Sequence, residues 1–513
     1  MKARALLAVL GSAALLACGA EADGDAADGV HPLPAADDGK ADNYISTNAR
    51  EFVLSGQAHV DLPEGFADRP DDDARAAELT RLVQGRLPAI SRAVRDHIEA
   101  VLEPFNDGAT GEDKRWFTYF RRDHSSADGA ELLDDGRARF RFEMELVGSP
   151  FLMGKLDPGG SGARTFEVTV KDSWWSSAGE GEQVEVTIAG TESVDAFPRY
   201  DALFADGVLD IHVQFGGDYN AERYDIETAR WLVEHLIEEP QWLHPEVTAF
   251  EDLGIDSAPF TAELRVEGET VEVRVTVVHS DMVEVTEEER LSDAMKRGLA
   301  EADIVIYSGH AGDNAGFILD YQPKHEIDDS AFSELTLRDD YQIYFFDGCR
   351  TYRTYVGALL DNPAKTFDNL DVVTTVNTTP FAVGYQLLWE VLYWFTLTDE
   401  DGRHYPLSWK AILRGLNTED YASVHYGVHG VDQDPQLNPH GGAAVACAPC
   451  HADADCGPGG NLCLGYAGGG GCGVACTTDA ACGEGYRCGR ITDDDDLFYV
   501  PKQCIKKDYV CGQ

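Results

Sequence analysis

The chain has 513 residues, which is long enough for several domains. It carries 41 Lys and Arg residues against 91 Asp and Glu residues, a formal net charge of −50 at pH 7. Because phosphate binding depends on lysine and arginine, this charge argues against nucleic acid as a partner and favours cationic ligands. A salty habitat would also account for the charge, since salt screens self-repulsion.

The first 18 residues have the composition of an export signal. A short basic start precedes an apolar run over residues 5–17, which is too short to span a bilayer. The run leads into the sequence LLAC at residues 15–18, which resembles a bacterial lipobox. This resemblance implies that residues 1–18 are a lipoprotein signal peptide and that Cys18 carries the lipid. An ordinary secretory signal with an incidental cysteine is the alternative.

The expected location follows from this signal. No later apolar run reaches the roughly 18 residues that a spanning helix needs. We therefore expect an extracytoplasmic protein of a bacterial cell envelope or surface that contacts the membrane only through its lipid anchor. Residues 19–43 are rich in Ala, Asp and Gly, and they lack the large apolar side chains that would offset the entropy of ordering. We expect them to be a disordered acidic linker.

Two patterns follow one another over residues 44–204. Apolar side chains recur at helical spacing over about residues 75–104, which predicts one long helix. From about residue 115 to 200, apolar and polar side chains alternate, as at Phe140, Phe142 and Met144. This alternation predicts a small antiparallel β region. No catalytic motif lies in it, so a prodomain, a binding module and a packing domain are all open interpretations.

Segments typical of strands and helices alternate over residues 205–440. The sequence predicts strands at residues 209–215, 271–278, 303–307, 342–346 and 371–376. It predicts helices at residues 225–239, 286–300 and 384–397, the second opened by a capping box of Thr286 and Glu289. Such alternation is typical of an α/β domain with a mostly parallel sheet flanked by helices.

The cysteines concentrate in residues 441–513. Ten of the 12 lie there, and residues 447–463 and 472–488 share nearly the same cysteine spacing. In an exported chain, an even number of repeated cysteines predicts a disulfide-rich repeat domain. Zinc binding is the alternative, because Cys447 and Cys450 have ligand-like spacing. The ten are Cys447, Cys450, Cys456, Cys463, Cys472, Cys476, Cys482, Cys488, Cys504 and Cys511.

Cys349 remains once Cys18 and the tail cysteines are assigned, and we expect it to be a free thiol. It follows one predicted strand, and His310 follows another. The carboxyl ends of parallel strands meet at one crevice, where sites form. A thiol becomes a strong nucleophile beside a base, and an imidazole can act first as that base and then as the acid. The sequence therefore predicts a catalytic pair of His310 and Cys349.

The segments that carry this pair resemble the caspase-like cysteine peptidases, the group of caspases, metacaspases, clostripain, gingipains and separase. They are Tyr307–His310 (YSGH) and Asp347–Cys349 (DGC), and residues 428–439 (VHGVDQDPQLNP) resemble the closing segment of gingipain-type domains. The resemblance covers about residues 205–440. It implies a caspase-like fold, endopeptidase activity, His310 as the catalytic histidine and Cys349 as the nucleophile.

The resemblance also implies how the substrate is held. Backbone amides of Cys349 and of Ala311 or Gly312 would hold the oxyanion, although Ala311 stands where the family usually has glycine. Asp347 matches an aspartate that helps to form a pocket for Arg or Lys, so a protein or peptide with basic residues is the expected substrate. No third residue that orients His310 can be identified from the sequence.

Each of these residues has a plainer interpretation. Cys349 would then be a buried, inert cysteine, His310 a turn residue with satisfied hydrogen bonds, and Asp347 a turn former. The whole chain would then be a non-catalytic surface-binding lipoprotein with a decayed caspase-like domain. A thiol-dependent transferase or amidase on the same fold is a third alternative.

The remaining motifs predict no further chemistry. Gly309, Gly312 and Gly316 are expected to be loop formers, since the Lys-Ser/Thr pattern of a phosphate-binding loop is missing. His425, His429 and His440 lie near one another without a ligand motif and are expected to be structural. The acidic run Asp493–Asp496 is expected to be a solvated loop, with calcium binding as the alternative. We expect no required cofactor and no catalytic metal.

Overall fold

A computed structural model describes residues 43–66, 72–109, 114–156, 162–171, 181–191, 193, 195–311, 316–321, 323–380, 382–399, 402–417, 424–431, 446–456, 460–491 and 502–511. Several predictions fall outside these ranges, namely the signal peptide with Cys18, nearly all of the 19–43 linker, Gly312, His440 and the Asp493–Asp496 run. Of the segment 428–439, only residues 428–431 are described.

The strands of the described residues are β1 (Asn43–Ser46), β2 (Arg50–Asp61), β3 (Thr118–Leu132), β4 (Arg137–Gly148), β5 (Arg164–Val170), β6 (Glu182–Gly190), β7 (Val208–Phe215), β8 (Phe260–Val266), β9 (Glu269–Val278), β10 (Ile304–Ser308), β11 (Phe317–Tyr321), β12 (Lys324–Ile327), β13 (Gln342–Asp347), β14 (Leu370–Thr375), β15 (Tyr426–Val431), β16 (Cys463–Tyr466), β17 (Gly469–Cys472), β18 (Tyr486–Gly489) and β19 (Gln503–Lys506). The α-helices are α1 (Asp72–Leu102), α2 (Leu152–Leu156), α3 (Tyr200–Leu203), α4 (Tyr224–Glu238), α5 (Glu289–Glu301), α6 (Tyr355–Leu360), α7 (Ala382–Phe395) and α8 (Trp409–Leu416).

An eight-stranded sheet forms the centre of the molecule, in the order β1-β15-β14-β13-β10-β7-β9-β8. The strands β9, β7, β10, β13 and β14 run parallel, while β8, β15 and β1 are antiparallel to their neighbours. The predicted α/β domain with a mostly parallel sheet is therefore confirmed. The five predicted strands correspond to β7, β9, β10, β13 and β14.

Helices cover both faces of this sheet because its central strands are apolar on both sides. In β10, Ile304 and Ile306 point into the core beneath α4, α7 and α8. The alternate residues Val305 and Tyr307 point into a second core beneath α5 and α6. This arrangement leaves the carboxyl ends of the parallel strands as the place where loops from several strands meet.

One predicted helix start is wrong. The capping box of Thr286 and Glu289 would require Thr286 to be the extended residue before the helix. Thr286 instead lies inside a short 3₁₀ turn, Val285–Glu287, and α5 begins at Glu289 without a side-chain cap. Because Thr286 is part of this turn, it does not have the extended conformation of a capping residue.

A second, antiparallel sheet lies in the N-terminal part, in the order β3-β4-β2-β6-β5. The helix α1 packs on it through buried apolar residues at helical spacing, among them Leu87, Ile90 and Val94. The predicted long helix and antiparallel region are confirmed. The first strand of the predicted 44–204 region behaves differently, because β1 pairs with β15 of the central sheet, Ser46 opposite Gly427.

Five disulfides hold the tail, and they confirm the predicted disulfide framework. Two pairs of disulfides occupy matching positions in the two cysteine repeats. In the first pair, Cys450–Cys463 corresponds to Cys476–Cys488. Cys456–Cys472 and Cys482–Cys504 form the second matching pair, and Cys447–Cys511 joins the two ends of the tail. Cys447 and Cys450 belong to different bridges, and the close cysteine groups with metal-ligand spacing already consist of bridged sulfurs. In the described part of the chain, no helix has the length and apolarity needed to cross a membrane.

Candidate active site

Three neighbouring strands bring their carboxyl-terminal loops to one place. In the sheet register, Ser308 at the end of β10 lies between Phe215 of β7 and Asp347 of β13. The loops that follow therefore run side by side, and His310 and Cys349 each lie two residues beyond this paired row. The structure thus places the predicted pair on adjacent loops at the same edge of the sheet.

Glycines allow these loops to approach closely. A Cβ atom added to Gly348 would lie 2.8 Å from the carbonyl oxygen of Gly309 and 2.9 Å from the Cβ of Ala311. A Cβ added to Gly216 would lie 2.4 Å from the hydroxyl of Tyr307. Since real Cβ atoms do not make such contacts, any larger residue would push the loops apart.

An aspartate from the third loop holds the histidine. Asp218, three residues beyond β7, has its Oδ1 3.2 Å from Nε2 of His310. Both side chains are buried. Burial alone would raise the pKa of Asp218, but the hydrogen bond with His310 and the backbone N–H groups of Asn220 and Tyr224 outweigh it and hold the pKa below its ordinary value. Asp218 is therefore a carboxylate that orients the imidazole and can stabilise its protonated form.

Aromatic side chains fix the plane of the His310 ring. Tyr219 stacks on it at a centroid distance of 4.7 Å, and Tyr321 meets it edge-on at 5.6 Å. The backbone is held as well, because the Tyr307 hydroxyl donates to the His310 carbonyl at 2.7 Å. An imidazole held in this way has one orientation available for proton transfer.

Asp218 was not predicted from the sequence, although a signal for it was present. The segment Phe215–Tyr219 (FGGDY) follows a predicted strand just as the His310 and Cys349 segments do. A polar residue directly after a third parallel strand belongs to the same crevice. Nothing in the sequence alone says that β7 is the neighbour of β10, and so the pairing could not be derived.

Cys349 is not a free thiol in this structure, so that expectation is wrong. It is disulfide-bonded, and no described cysteine is free. The ten tail cysteines are bridged among themselves, so the partner of Cys349 lies outside the described residues. Cys349 was predicted to be free because every other cysteine was assigned first and the remainder was taken to be unpaired.

The Cys349 loop is tied down by the loop that follows β14. The backbone N–H of Thr379 points at the Cys349 sulfur at 3.5 Å, and the Thr379 hydroxyl donates to the Gly348 carbonyl at 3.1 Å. The next residue, Arg350, adopts a left-handed conformation with φ 57° and donates its N–H to Asn377. A backbone donor at the sulfur stabilises a thiolate once the disulfide is opened.

Only part of the predicted oxyanion site lies in described residues. The Ala311 nitrogen approaches the Cys349 loop, since a Cβ added to Gly348 would lie 3.4 Å from it. Ala311 also forms an isolated bridge with Phe317, which anchors the His310 loop to the strand after it. Gly312 is outside the described residues.

Asp347 lies beneath the site and is almost fully buried, with 4% exposure. The Ser308 hydroxyl donates to its Oδ2 at 2.8 Å, and the Tyr426 hydroxyl donates to its Oδ1 at 2.8 Å. Burial raises the pKa of Asp347 to about 6, against the smaller opposing effect of these two hydrogen bonds. A carboxylate in this position has a strong electrostatic preference for a cationic partner.

Two further histidines pack against rings near the site. His425 is stacked on Phe117 at 4.1 Å, and burial lowers its pKa to about 4. His429 is fully buried and stacks on Tyr352 at 5.3 Å. Both rings link the central sheet to the segments around it.

The site therefore combines a buried carboxylate–imidazole pair, a sulfur on the adjacent loop and a second buried carboxylate. Such a set can deprotonate a thiol, return a proton to a leaving group and bind a cationic side chain. No protein family model, no curated protein and no solved structure matches this chain. Its function must therefore be argued from the chemistry of the site.

Proposed function

We propose that the chain is an extracytoplasmic cysteine endopeptidase of the caspase-like type, with Cys349 as nucleophile and His310 as general base and acid. The observation that supports this most is the Asp218–His310 pair, 3.2 Å between Oδ1 and Nε2, on loops adjacent to the Cys349 loop. In thiol catalysis, a buried carboxylate hydrogen-bonded to an imidazole orients the ring and stabilises the imidazolium that forms when the ring takes the thiol proton.

The reaction we propose has two steps. His310 takes the proton of the Cys349 thiol, and the thiolate attacks the scissile carbonyl carbon. The tetrahedral oxyanion collapses to a thioester, while His310 gives its proton to the leaving amine. A water molecule, deprotonated by His310, then attacks the thioester and releases the carboxylate product and the Cys349 thiol. Asp218 keeps the ring oriented and offsets the charge of the imidazolium.

The enzyme would be latent until the Cys349 disulfide is opened. A disulfide sulfur has no proton to lose and no lone charge with which to attack a carbonyl. Reduction by a thiol, or exchange with one, would release the nucleophile. A lipidated Cys18, held to a bacterial membrane, is part of this proposal and places the active form in an oxidising compartment. Cys18 is the one cysteine of the sequence outside the described residues, so lipidation of Cys18 and a disulfide at Cys349 within one chain exclude each other, and the disulfide belongs to the chain before lipidation.

We propose cleavage after Arg or Lys. Asp347 is two residues before Cys349, and its buried carboxylate lacks a cationic partner among the contacts described above. A substrate guanidinium or ammonium would supply that charge. The net charge of −50 is compatible with a basic substrate.

The second candidate is the non-catalytic surface-binding lipoprotein. One observation favours it, namely the disulfide at Cys349, since a bridged cysteine can serve stability alone. The transferase or amidase alternative has no observation of its own in its favour.

A peptide panel tests the proposal. The full chain, treated with a mild thiol reductant, is assayed on fluorogenic peptides that end in Arg, Lys, Asn or Asp. We expect turnover of the Arg and Lys peptides that is lost in Cys349→Ser and His310→Ala. Glu222→Gln, an exposed carboxylate near Asp218, is the matched control. Turnover of the Asp or Asn peptides instead would contradict the basic specificity, and turnover by Cys349→Ser would contradict the mechanism.

A further inference from the structure

Aromatic side chains form a strip along the outer surface of α4 and α7. On α7, Tyr385, Trp389 and Tyr393 recur every four residues and so share one face, as Trp231 and His235 do on α4. The Trp231 ring lies 5.4 Å from Tyr385 and 6.3 Å from Trp389, and the His235 ring lies 5.6 Å from Trp389. We call these five residues the aromatic strip.

The aromatic strip is partly open to solvent. Tyr393 is 47% exposed, and the other four rings are half-buried. Aromatic rings gain free energy when they are covered, so a contiguous row of them at a surface is typical of a place where another molecule docks.

Carboxylates flank the aromatic strip. Glu227, Glu234 and Glu238 are exposed on α4 at positions that share the face of Trp231 and His235. Glu227 is close enough to Tyr385 to raise the pKa of its hydroxyl, together with the larger effect of burial. Ring faces attract cations, and nearby carboxylates add to that attraction. The chemistry of the surface therefore fits arginine and lysine side chains.

The aromatic strip begins at the candidate active site. The Tyr385 hydroxyl hydrogen-bonds Thr228 of α4. The residue before Tyr385 is Gly384, where an added Cβ would lie 3.0 Å from the Ser308 hydroxyl and 3.3 Å from Oδ2 of Asp347. One end of the strip is therefore next to the buried carboxylate, and the other end, at Tyr393, lies further along α7.

We propose that the aromatic strip binds a basic segment of the substrate polypeptide, separate from the Arg or Lys whose bond is cut. The inference rests on the proposed function, because it takes the substrate to be a polypeptide that enters at Asp347. Lysine and arginine side chains of that segment would lie on the rings of Trp389 and Tyr393, with Glu234 and Glu238 alongside. The acidic surface would then select substrates with several basic residues over those with one.

Binding to the full chain tests this without any need for catalysis. The probe is a fluorescein-labelled peptide of alternating arginine and glycine, followed by fluorescence anisotropy. We expect its Kd to rise about two- to fivefold in Trp389→Leu and to a similar extent in Glu234→Gln. Glu301→Gln, an exposed carboxylate on α5, is the matched control and should keep the wild-type Kd.

Three outcomes would overturn the inference. They are an unchanged Kd in both Trp389→Leu and Glu234→Gln, equal binding of a labelled glutamate–glycine peptide, and tighter binding of a neutral glycan oligosaccharide that Trp389→Leu abolishes. If Trp389→Leu does not fold, Glu234→Gln with Glu238→Gln decides the matter, since both side chains are exposed. Failure of the proposed peptidase would appear differently, as intact binding of the basic peptide with no cleavage after reduction.

Discussion

At the scale of single residues, the pair of Asp218 and His310 carries the functional argument. The Asp218 Oδ1 and His310 Nε2 atoms are 3.2 Å apart, and the buried carboxylate also accepts from the backbone N–H groups of Asn220 and Tyr224. An asparagine at this position would keep the size of the side chain and lose its charge. The charge matters because, in the proposed mechanism, it offsets the positive imidazolium that forms in each step.

Replacing Asp218 by asparagine should therefore lower kcat by about a hundredfold. KM should change little, since the proposed role of Asp218 is to orient His310 and not to bind substrate. Steady-state kinetics on an Arg peptide after reduction measure both quantities. A variant with wild-type kcat would contradict the role of Asp218, and Glu222→Gln serves as the control on the same loop.

The Asp347 carboxyl should give the reaction a pH dependence. Burial raises its pKa from 3.8 to about 6, so the group takes up a proton and loses its charge as the pH falls through about 6. KM for Arg and Lys peptides should rise below that pH and be flat above it. The same raised pKa affects stability. Between pH 3.8 and about 6 the folded chain holds a proton on Asp347 that the unfolded chain has lost, so the free energy of unfolding falls as the pH rises through this range. A salt-bridged carboxylate, whose pKa is lowered on folding, has the opposite effect.

Asp347→Asn removes the carboxyl that is proposed to bind the basic side chain and to titrate near pH 6. The preference for basic peptides and the rise of KM below about pH 6 should disappear together. Of the Ser308 and Tyr426 hydroxyls, one can still donate to the amide oxygen and the other can accept from the amide NH2. KM measured from pH 5 to 8 on Arg and neutral peptides checks this, both limits being about one to two units from the expected midpoint. A retained preference for Arg would place the specificity elsewhere.

Single residues show where sequence reasoning succeeds and where it stops. The sequence placed His310 and Cys349 at one crevice because each follows an apolar strand, and the carboxyl ends of parallel strands meet. The structure has them on adjacent loops, after the paired residues Ser308 and Asp347. Asp218 was missed because the apolar pattern of a sequence predicts strands but does not predict which strands are neighbours in the sheet. The disulfide at Cys349 was missed because a count of cysteines gives their parity and not their partners.

At the scale of elements, the N-terminal strands support the loop that carries Cys349. Tyr352, three residues after it, is 1% exposed and meets the Tyr44 ring of β1 at 5.9 Å. Its hydroxyl donates to Oε1 of Glu51 in β2 at 3.4 Å. The ring of Tyr44 also lies against Gly427, where any Cβ would overlap it. This packing favours a structural role for the region over removal as a prodomain.

Replacing Tyr352 by alanine should lower the free energy of unfolding by about 3–5 kcal/mol, as large-to-small changes in cores do. Tyr352→Phe keeps the ring but removes the hydrogen bond to the buried Glu51, and it should cost about 1–3 kcal/mol. Chemical denaturation of the full chain measures both. The alanine variant should also lose the proposed peptidase activity under conditions where it stays folded. Equal stability of Tyr352→Ala and wild type would show that the contact supports nothing.

Elements were predictable where their pattern was strong. The central parallel strands are buried on both faces and appear as short apolar runs, so β10 and β13 were found almost in full. The strand β15 was missed because its sequence YGVHGV contains two glycines, which weaken any strand signal. The strand β15 is held in its extended conformation by pairing with β1 and β14. This pairing joins segments distant in the sequence, so it does not show in the local pattern of residues.

At the scale of the whole molecule, the net charge of −50 should speed the association of the chain with a basic substrate. An acidic surface attracts a basic substrate over distances that salt shortens. We expect kcat/KM for a peptide with lysines around the cleaved bond to fall about tenfold between low salt and roughly 0.5 M salt. The same peptide with glutamates in place of those lysines should show the opposite trend. Identical salt responses would contradict electrostatic selection.

If the proposed mechanism holds, Cys349 becomes a nucleophile activated by His310 once its disulfide is opened. Covalent labelling of the Cys349 sulfur measures this. The full chain is reduced mildly, treated with a peptide chloromethyl ketone ending in arginine, and digested, and the labelled site is identified by mass spectrometry. We predict labelling at Cys349 that requires reduction and is lost in His310→Ala. Equal labelling of Cys349 in His310→Ala, or none at Cys349 after its disulfide is shown to be open, would contradict the account.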